Sequence, residues 1–186
     1  SGTGKRFSHL MAIAPNASSS IIMGNTSPSI EPYRANAYRQ DTLSGSFLNK
    51  NRWLDKVIRE KLKLQEGMDS GTYADTWSSI IANDGSVQHL EFLTDEQKEV
   101  FRTFAEVNQA SIINQAAVRQ DYIDQSQSLN LMISPDMPTK DVNKLLIDAW
   151  QLGVKTLYYQ HSMNSAQAFA RKKLNLNDLQ CVACEG

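Results

Sequence analysis

The chain has 186 residues, 41% of them hydrophobic and 21% charged, and a formal net charge of -1. This composition gives enough apolar material for one sizeable core and excludes a disordered chain, and the near-neutral balance gives no general attraction to nucleic acid. No apolar run reaches the roughly 18 residues needed to cross a bilayer, and no charged-then-apolar leader opens the sequence, so a cytoplasmic protein without membrane contacts is expected.

The opening Ser1-Gly2-Thr3-Gly4 is not a natural initiation and reads as an entry into a longer protein. Gly2-Thr3-Gly4-Lys5 is set aside as a P-loop, because Arg6 stands where a magnesium-holding Ser or Thr belongs and no upstream glycine is available. Phe7 to Ala14 is mostly apolar and runs into Pro15, which predicts a buried strand. Asn16 to Met23, with Ser18, Ser19 and Ser20 followed by Ile21 and Ile22, predicts a short helix ended at Gly24. Tyr33 to Phe47 alternates over short distances and reads as a hairpin or irregular connection.

Asn51 is an N-cap for an amphipathic helix on which Leu54, Val57, Ile58 and Leu62 recur until Gly67. A second helix covers Tyr73 to Ala82, with Trp77, Ile80 and Ile81 on one face and a turn at Asp84-Gly85. Thr94 and Gln97 make a capping box, and Val100, Phe101, Phe104, Val107 and Ile112 predict one long helix toward Tyr122. Leu129 to Ile133, stopped by Pro135, and Val154 to Tyr159, entered from Gly153, predict two strands. Between them lies a helix with Thr139 as cap and Val142, Leu145, Leu146, Ala149 and Trp150 on one face, so the unit is a right-handed parallel crossover. The fold class is α/β, with about three strands in parallel-type units, too few for a closed barrel. From His161 the chain turns polar, with a basic knot at Arg171-Lys172-Lys173, which divides it into a folded segment 1–160 and a flexible tail 161–186.

Four features bear on chemistry. Pro15-Asn16-Ala17-Ser18-Ser19-Ser20 places small hydroxyl residues and free backbone N–H groups at a helix start, a natural anion or phosphate site; the alternative is that Asn16 or a serine simply caps the helix. Tyr158 and Tyr159 end a strand, where neighbouring side chains point to opposite faces, as either a core and an interface tyrosine or a pair with a redox role. The polar run Ile123 to Asn130 is expected to wire a loop into the sheet. Cys181 and Cys184 are the chain's two cysteines, able to close a small disulfide ring, supply half of a zinc site, or remain exposed thiols. His9, His89 and His161 show no ligand spacing, and no metal site is expected.

In order, Ala14-Pro15-Asn16-Ala17-Ser18-Ser19, Gly24-Asn25, Ser29-Ile30-Glu31-Pro32-Tyr33, Leu43-Ser44-Gly45-Ser46-Phe47, Ile123 to Asn130, Gly153-Val154-Lys155-Thr156-Leu157-Tyr158-Tyr159 and the terminal cysteine pair resemble the C-terminal part of the large, catalytic subunit of class I ribonucleotide reductases. The resemblance covers nearly the whole chain, with little of it in 63–88 and 160–178. It implies part of a ten-stranded α/β barrel built around a radical cysteine, incomplete alone, and an oxidoreductase that reduces ribonucleoside diphosphates to deoxyribonucleotides.

By this resemblance Pro15, Asn16, Ala17, Ser18 and Ser19 cradle the substrate diphosphate, Asn16 standing where the family often has a hydroxyl residue. Tyr158 and Tyr159 relay a radical, with Tyr159 nearer the small subunit, and their stacking requires a departure from ideal strand alternation. Cys181 and Cys184 resemble the tail dithiol that reduces an active-site disulfide and is itself reduced by thioredoxin or glutaredoxin. The helix Thr139 to Trp150 is a candidate dock for the small subunit's C-terminal peptide. No cysteine stands outside the tail, so the radical cysteine and the ribose-reducing pair are expected on a separate N-terminal piece of the large subunit, together with the ATP and deoxynucleotide effector sites. No cofactor is expected on this chain, and a di-iron tyrosyl-radical cofactor is expected in the small subunit. The rival expectation is a stand-alone nucleotide-diphosphate-binding module without radical chemistry; a small dithiol carrier is a third.

Overall fold

A computed structural model of the chain describes residues 4, 7–24, 27–42, 45–65, 67 and 70–162. The first helix, α1 (Ala17–Ile22), begins after Pro15 and Asn16 and gives way at Gly24, whose φ of +88° is the left-handed conformation that ends helices without a Cβ penalty. The predicted hairpin is present as β1 (Ala37–Thr42) and β2 (Gly45–Lys50), paired antiparallel from Ala37 opposite Lys50 to Thr42 opposite Gly45.

α2 (Arg52–Lys61) begins where Asn51 Oδ1 accepts from Trp53 N (3.0 Å) and Leu54 N (3.4 Å). α3 (Gly71–Ala82) begins where Ser70 Oγ accepts from Tyr73 N (3.2 Å). Their apolar faces, Leu54, Ile58, Tyr73, Trp77 and Ile80, close a first core with Ala37, Val87, Leu90, Leu93 and Phe101. The turn after α3 presses against the start of β1. Gly85 has φ +78°, and a Cβ there would lie 2.4 Å from Ala35 Cβ, so only glycine fits. Asn36, 3% exposed, ties this corner together by donating through Nδ2 to Gly85 O (3.0 Å) and Phe101 O (2.7 Å).

The single long helix expected from Thr94 toward Tyr122 is two helices. The capping box at Thr94 and Gln97 forms, but α4 is only Asp95–Val100 and α5 is Gln109–Gln120. Phe101 and Phe104, three apart, would share a face on a continuous helix. Here Phe101 is buried in the first core and Phe104 in a second, and the chain must unwind between them. Glu106 Oε2 stabilises the break by accepting from Thr103 N (2.8 Å) and Thr103 Oγ1 (3.0 Å), Phe104 N donates to Tyr33 O (2.8 Å), and Asn108 Oδ1 restarts the helix by accepting from Ala110 N (2.9 Å).

The second core contains Phe104, Ile112, Ile113, Ala116, Leu129, Leu131, Ala149 and Val154. It packs α5 and α6 (Thr139–Gln151) against β3 (Leu131–Met132), which pairs in parallel with β4 (Gln160–His161). Thr139 is the first residue of α6 rather than its cap. Pro138, with φ -58°, takes the preceding position and supplies no side-chain bond. β4 carries His161, so regular pairing runs one residue into the stretch expected as tail.

Backbone bonds beyond β3 and β4 reveal three parallel segments. On one edge of residues 125–133, Ile13 N donates to Ser126 O (3.2 Å) and Ser128 N to Ile13 O (2.8 Å). On the other, Tyr158 N donates to Leu129 O (2.7 Å), Leu131 N to Tyr159 O (2.9 Å) and Ile133 N to His161 O (2.7 Å). The three stretches expected as strands therefore lie side by side as extended segments, but regular strand is confined to Leu131–Met132 and Gln160–His161: Phe7 to Ala14 contributes a single bridge from Ile13 to Gln127, and Val154 to Tyr159 forms no regular strand. The first is not buried as expected: Phe7, Leu10 and Met11 are 66%, 69% and 56% exposed, because no described element lies over them. No helix among the described residues is long and apolar enough to cross a membrane.

Candidate functional site

The polar run 123–130 fastens the central segment, as its composition predicts. Asp124 Oδ2 accepts from Leu10 N (2.9 Å) and Met11 N (3.2 Å), holding the first segment on its edge. Gln127, 1% exposed, is fully engaged: Nε2 donates to Ala116 O (2.8 Å) and Gln120 Oε1 (3.2 Å), and Oε1 accepts from Arg119 Nε (3.1 Å). Burial holds the Arg119 guanidinium below its ordinary range, with the Glu31 carboxylate opposing that shift.

Tyr158 and Tyr159 do not point to opposite faces. In a regular parallel ladder, the residue whose N–H donates to the neighbouring strand also accepts through its own carbonyl two residues further along that strand. Tyr158 N donates to Leu129 O, yet the acceptor for Leu131 N is Tyr159 O, so one extra residue is inserted as a β-bulge. The Tyr159 N–H, displaced from the ladder, donates to Asn130 Oδ1 (3.2 Å). The bulge turns both phenols to one side. Their ring centroids are 4.1 Å apart at 51°, and Tyr158 Oη donates to Tyr159 Oη at 3.3 Å.

Asn130 is in turn fixed by Glu31. This carboxylate is 3% exposed and accepts from Asn130 N at 2.5 Å and from Asn130 Nδ2 at 3.3 Å. A buried acid 99 residues away in sequence thus sets the residue that makes the bulge. Sequence reasoning gave Glu31 no role. Its signal was an acidic residue between Ile30 and Pro32, where a solvated side chain has little reason to stand. Arg34 and His161 were also missed: an Arg34 Nη atom lies 2.5 Å from His161 Nε2, and the His161 ring is 5.7 Å from that of Tyr159 at 46°.

The loop 15–19 sits at the end of the edge segment that carries Ile13. Pro15, Asn16, Ser18 and Ser19 are exposed, Asn16 N donates to Pro28 O (2.7 Å), and Asn16 Nδ2 turns back to Ala14 O (3.2 Å). Ala17 opens α1, whose first-turn N–H groups have no partner within the helix by its geometry. The loop and the tyrosine pair are therefore carried on opposite edges of one central segment. Cys181 and Cys184 lie outside the described residues. Among the described residues no group of His, Cys, Asp and Glu could hold a metal ion.

Parallel segments wired by buried amides, a strand-to-helix loop and a bulged tyrosine pair define a piece of an α/β barrel, and the chain belongs to the ribonucleotide reductase barrel-domain family, whose model matches residues 1–160. Among individual relatives, it is 53% identical over 169 residues to the ribonucleoside-diphosphate reductase large subunit of Invertebrate iridescent virus 6, covering 90% of this chain and 17% of that protein. It is 37% identical over 180 residues to the large subunit of Danio rerio, covering 95% of this chain and 21% of that protein. The solved structure of the class Id ribonucleotide reductase alpha subunit of Actinobacillus ureae matches with a TM-score of 0.73 and 48% identity, over 89% of this chain and 28% of that one. The chain thus spans about a fifth of the curated relatives named here and corresponds to part of their barrel.

Proposed function

We propose that this chain is the C-terminal segment of a class I ribonucleoside-diphosphate reductase large subunit and brings three devices to the reduction of ribonucleoside diphosphates. The observation that carries the reading is the tyrosine pair, with hydroxyls 3.3 Å apart and rings at 4.1 Å. When Tyr159 is oxidised from the small-subunit side, one electron and one proton pass to it from Tyr158. Tyr159 is restored as a phenol and the radical moves inward toward a cysteine on the N-terminal piece. Contact distance between the two oxygens keeps that exchange to a single short proton transfer.

The second device is the loop Pro15 to Ser19, in which Asn16, Ala17 and the exposed Ser18 and Ser19 bind the substrate diphosphate through first-turn N–H groups and hydroxyls. The third is the Cys181 and Cys184 dithiol. It gives two electrons and two protons to an active-site disulfide, becomes a disulfide itself, and is returned to the dithiol by thioredoxin or glutaredoxin. The N-terminal piece supplies the radical cysteine, the ribose-reducing pair and the nucleotide effector sites, and the small subunit supplies the radical from a di-iron tyrosyl centre.

The test uses the chain assembled with the rest of the large subunit and the small subunit. Tyr158→Phe and Tyr159→Phe each bring turnover to background while ribonucleoside diphosphate binding persists. Turnover surviving in Tyr158→Phe rejects the relay.

A further inference from the structure

We infer that Arg34 and His161 form a positioning pair that holds the Tyr159 ring against Tyr158; the inference rests on the relay reading above. Arginine has donors only, so the 2.5 Å contact from an Arg34 Nη atom requires a lone pair on His161 Nε2. His161 is therefore the neutral imidazole with its hydrogen on Nδ1. Burial, then the Arg34 charge, push the His161 imidazolium below its ordinary range, and Glu31 pulls the other way, which agrees with that assignment.

The bulge ends at Tyr159. From there regular pairing resumes, with Leu131 N on Tyr159 O and Ile133 N on His161 O, so Tyr159 and His161, two apart on one strand, lie on the same face. The Tyr159 ring thus stands between the Tyr158 ring at 4.1 Å and the His161 ring at 5.7 Å. His161 takes neither the electron nor the proton that pass between the tyrosines. Its imidazole limits the torsion of Tyr159, and Arg34, from the segment leading into β1, anchors the imidazole from outside the strand.

The experiment uses the assembled reductase with 3-aminotyrosine in place of Tyr159, whose trapped radical reports ring torsion through the β-methylene hyperfine splitting of its electron paramagnetic resonance spectrum. A second series keeps the natural tyrosine and measures turnover. His161→Phe retains a ring but cannot accept from Arg34, Arg34→Met removes the donor, and His161→Gln retains an acceptor. His161→Phe and Arg34→Met are expected to change the hyperfine splitting and to lower kcat by about tenfold or more at unchanged KM, since small misplacement is costly at a reacting pair. The double variant is expected to be no worse than either single, because both remove one interaction. His161→Gln recovers most of the kcat. Unchanged splitting and kcat in both singles, with Tyr158→Phe inactive, overturns the positioning pair and leaves the relay standing. An active Tyr158→Phe instead overturns the relay, and the splitting alone then decides whether the pair sets the ring.

Discussion

Glu31 offers the sharpest test of how the tyrosine bulge is built. Its carboxylate accepts from the Asn130 backbone N–H at 2.5 Å and from the Asn130 side chain at 3.3 Å, and all three groups belong to buried residues. Glu31→Ala removes both acceptors and orphans a buried backbone donor. A short bond to a charged acceptor contributes about 1.5–3 kcal/mol, and an orphaned buried donor costs about 1–3 kcal/mol. With the long second bond counted for little, the expected loss is about 3–5 kcal/mol, a large share of a stability of about 5–15 kcal/mol. Glu31→Gln keeps one oxygen for the Asn130 N–H but faces the Asn130 amide with a second donor, so it is expected to lose about 1–3 kcal/mol. At about 2–4 °C per kcal/mol for a domain of this size, Glu31→Ala lowers Tm by roughly 10 °C. Urea unfolding of both variants measures the difference, and amide hydrogen exchange localises it, with faster exchange expected at Asn130 and Tyr159. A loss below about 1 kcal/mol for Glu31→Ala, or equal losses for the two variants, would refute this account of the bulge.

Two further outcomes follow from packing and ionisation. Gly85→Ala sets a Cβ 2.4 Å from Ala35 Cβ at a φ of +78°, so it is expected to destabilise by about 2 kcal/mol or more in thermal unfolding. Burial, then the hydrogen bond and charge of Asp55, push the Tyr73 hydroxyl up to about 12 from its ordinary 10, although Arg59 opposes the shift. The folded state therefore holds that proton more tightly, and the stability it contributes is complete below pH 10 and is lost as pH rises toward 12. Tyr73→Phe should remove this alkaline slope in urea unfolding between those limits, and an unchanged slope would reject the assignment.

Local chemistry made much of the fold readable. Asn51, the Thr94 and Gln97 box and the Asp84-Gly85 turn sit where the sequence places them, because each satisfies backbone groups within a few residues of itself. The errors arose where distant contacts decide. Phe101 and Phe104 read as one helical face until two cores claim one ring each. Phe7 to Ala14 reads as a buried strand by composition, but composition does not say whether an apolar segment has a covering layer. The family was legible from short motifs in order, among them those holding the tyrosines and the loop 15–19, and its model matches residues 1–160. The bulge was not, because it depends on Glu31 meeting Asn130 across 99 residues. Arg34 and His161 were illegible for the same reason, being 127 residues apart.

The division between the two cores has a consequence for where substitutions meet the site. The central segment and the strand bearing Tyr158 and Tyr159 pack only into the second core, whereas α2 and α3 fill the first without contributing a residue to the loop 15–19 or the tyrosine pair. The surface of the α2–α3 layer can therefore change without altering a residue of that loop or of that pair. Any constraint from the site therefore falls on both sides of this layer in sequence, since the loop 15–19, Glu31 and Arg34 precede α2 while Asn130, the tyrosines and His161 follow α3.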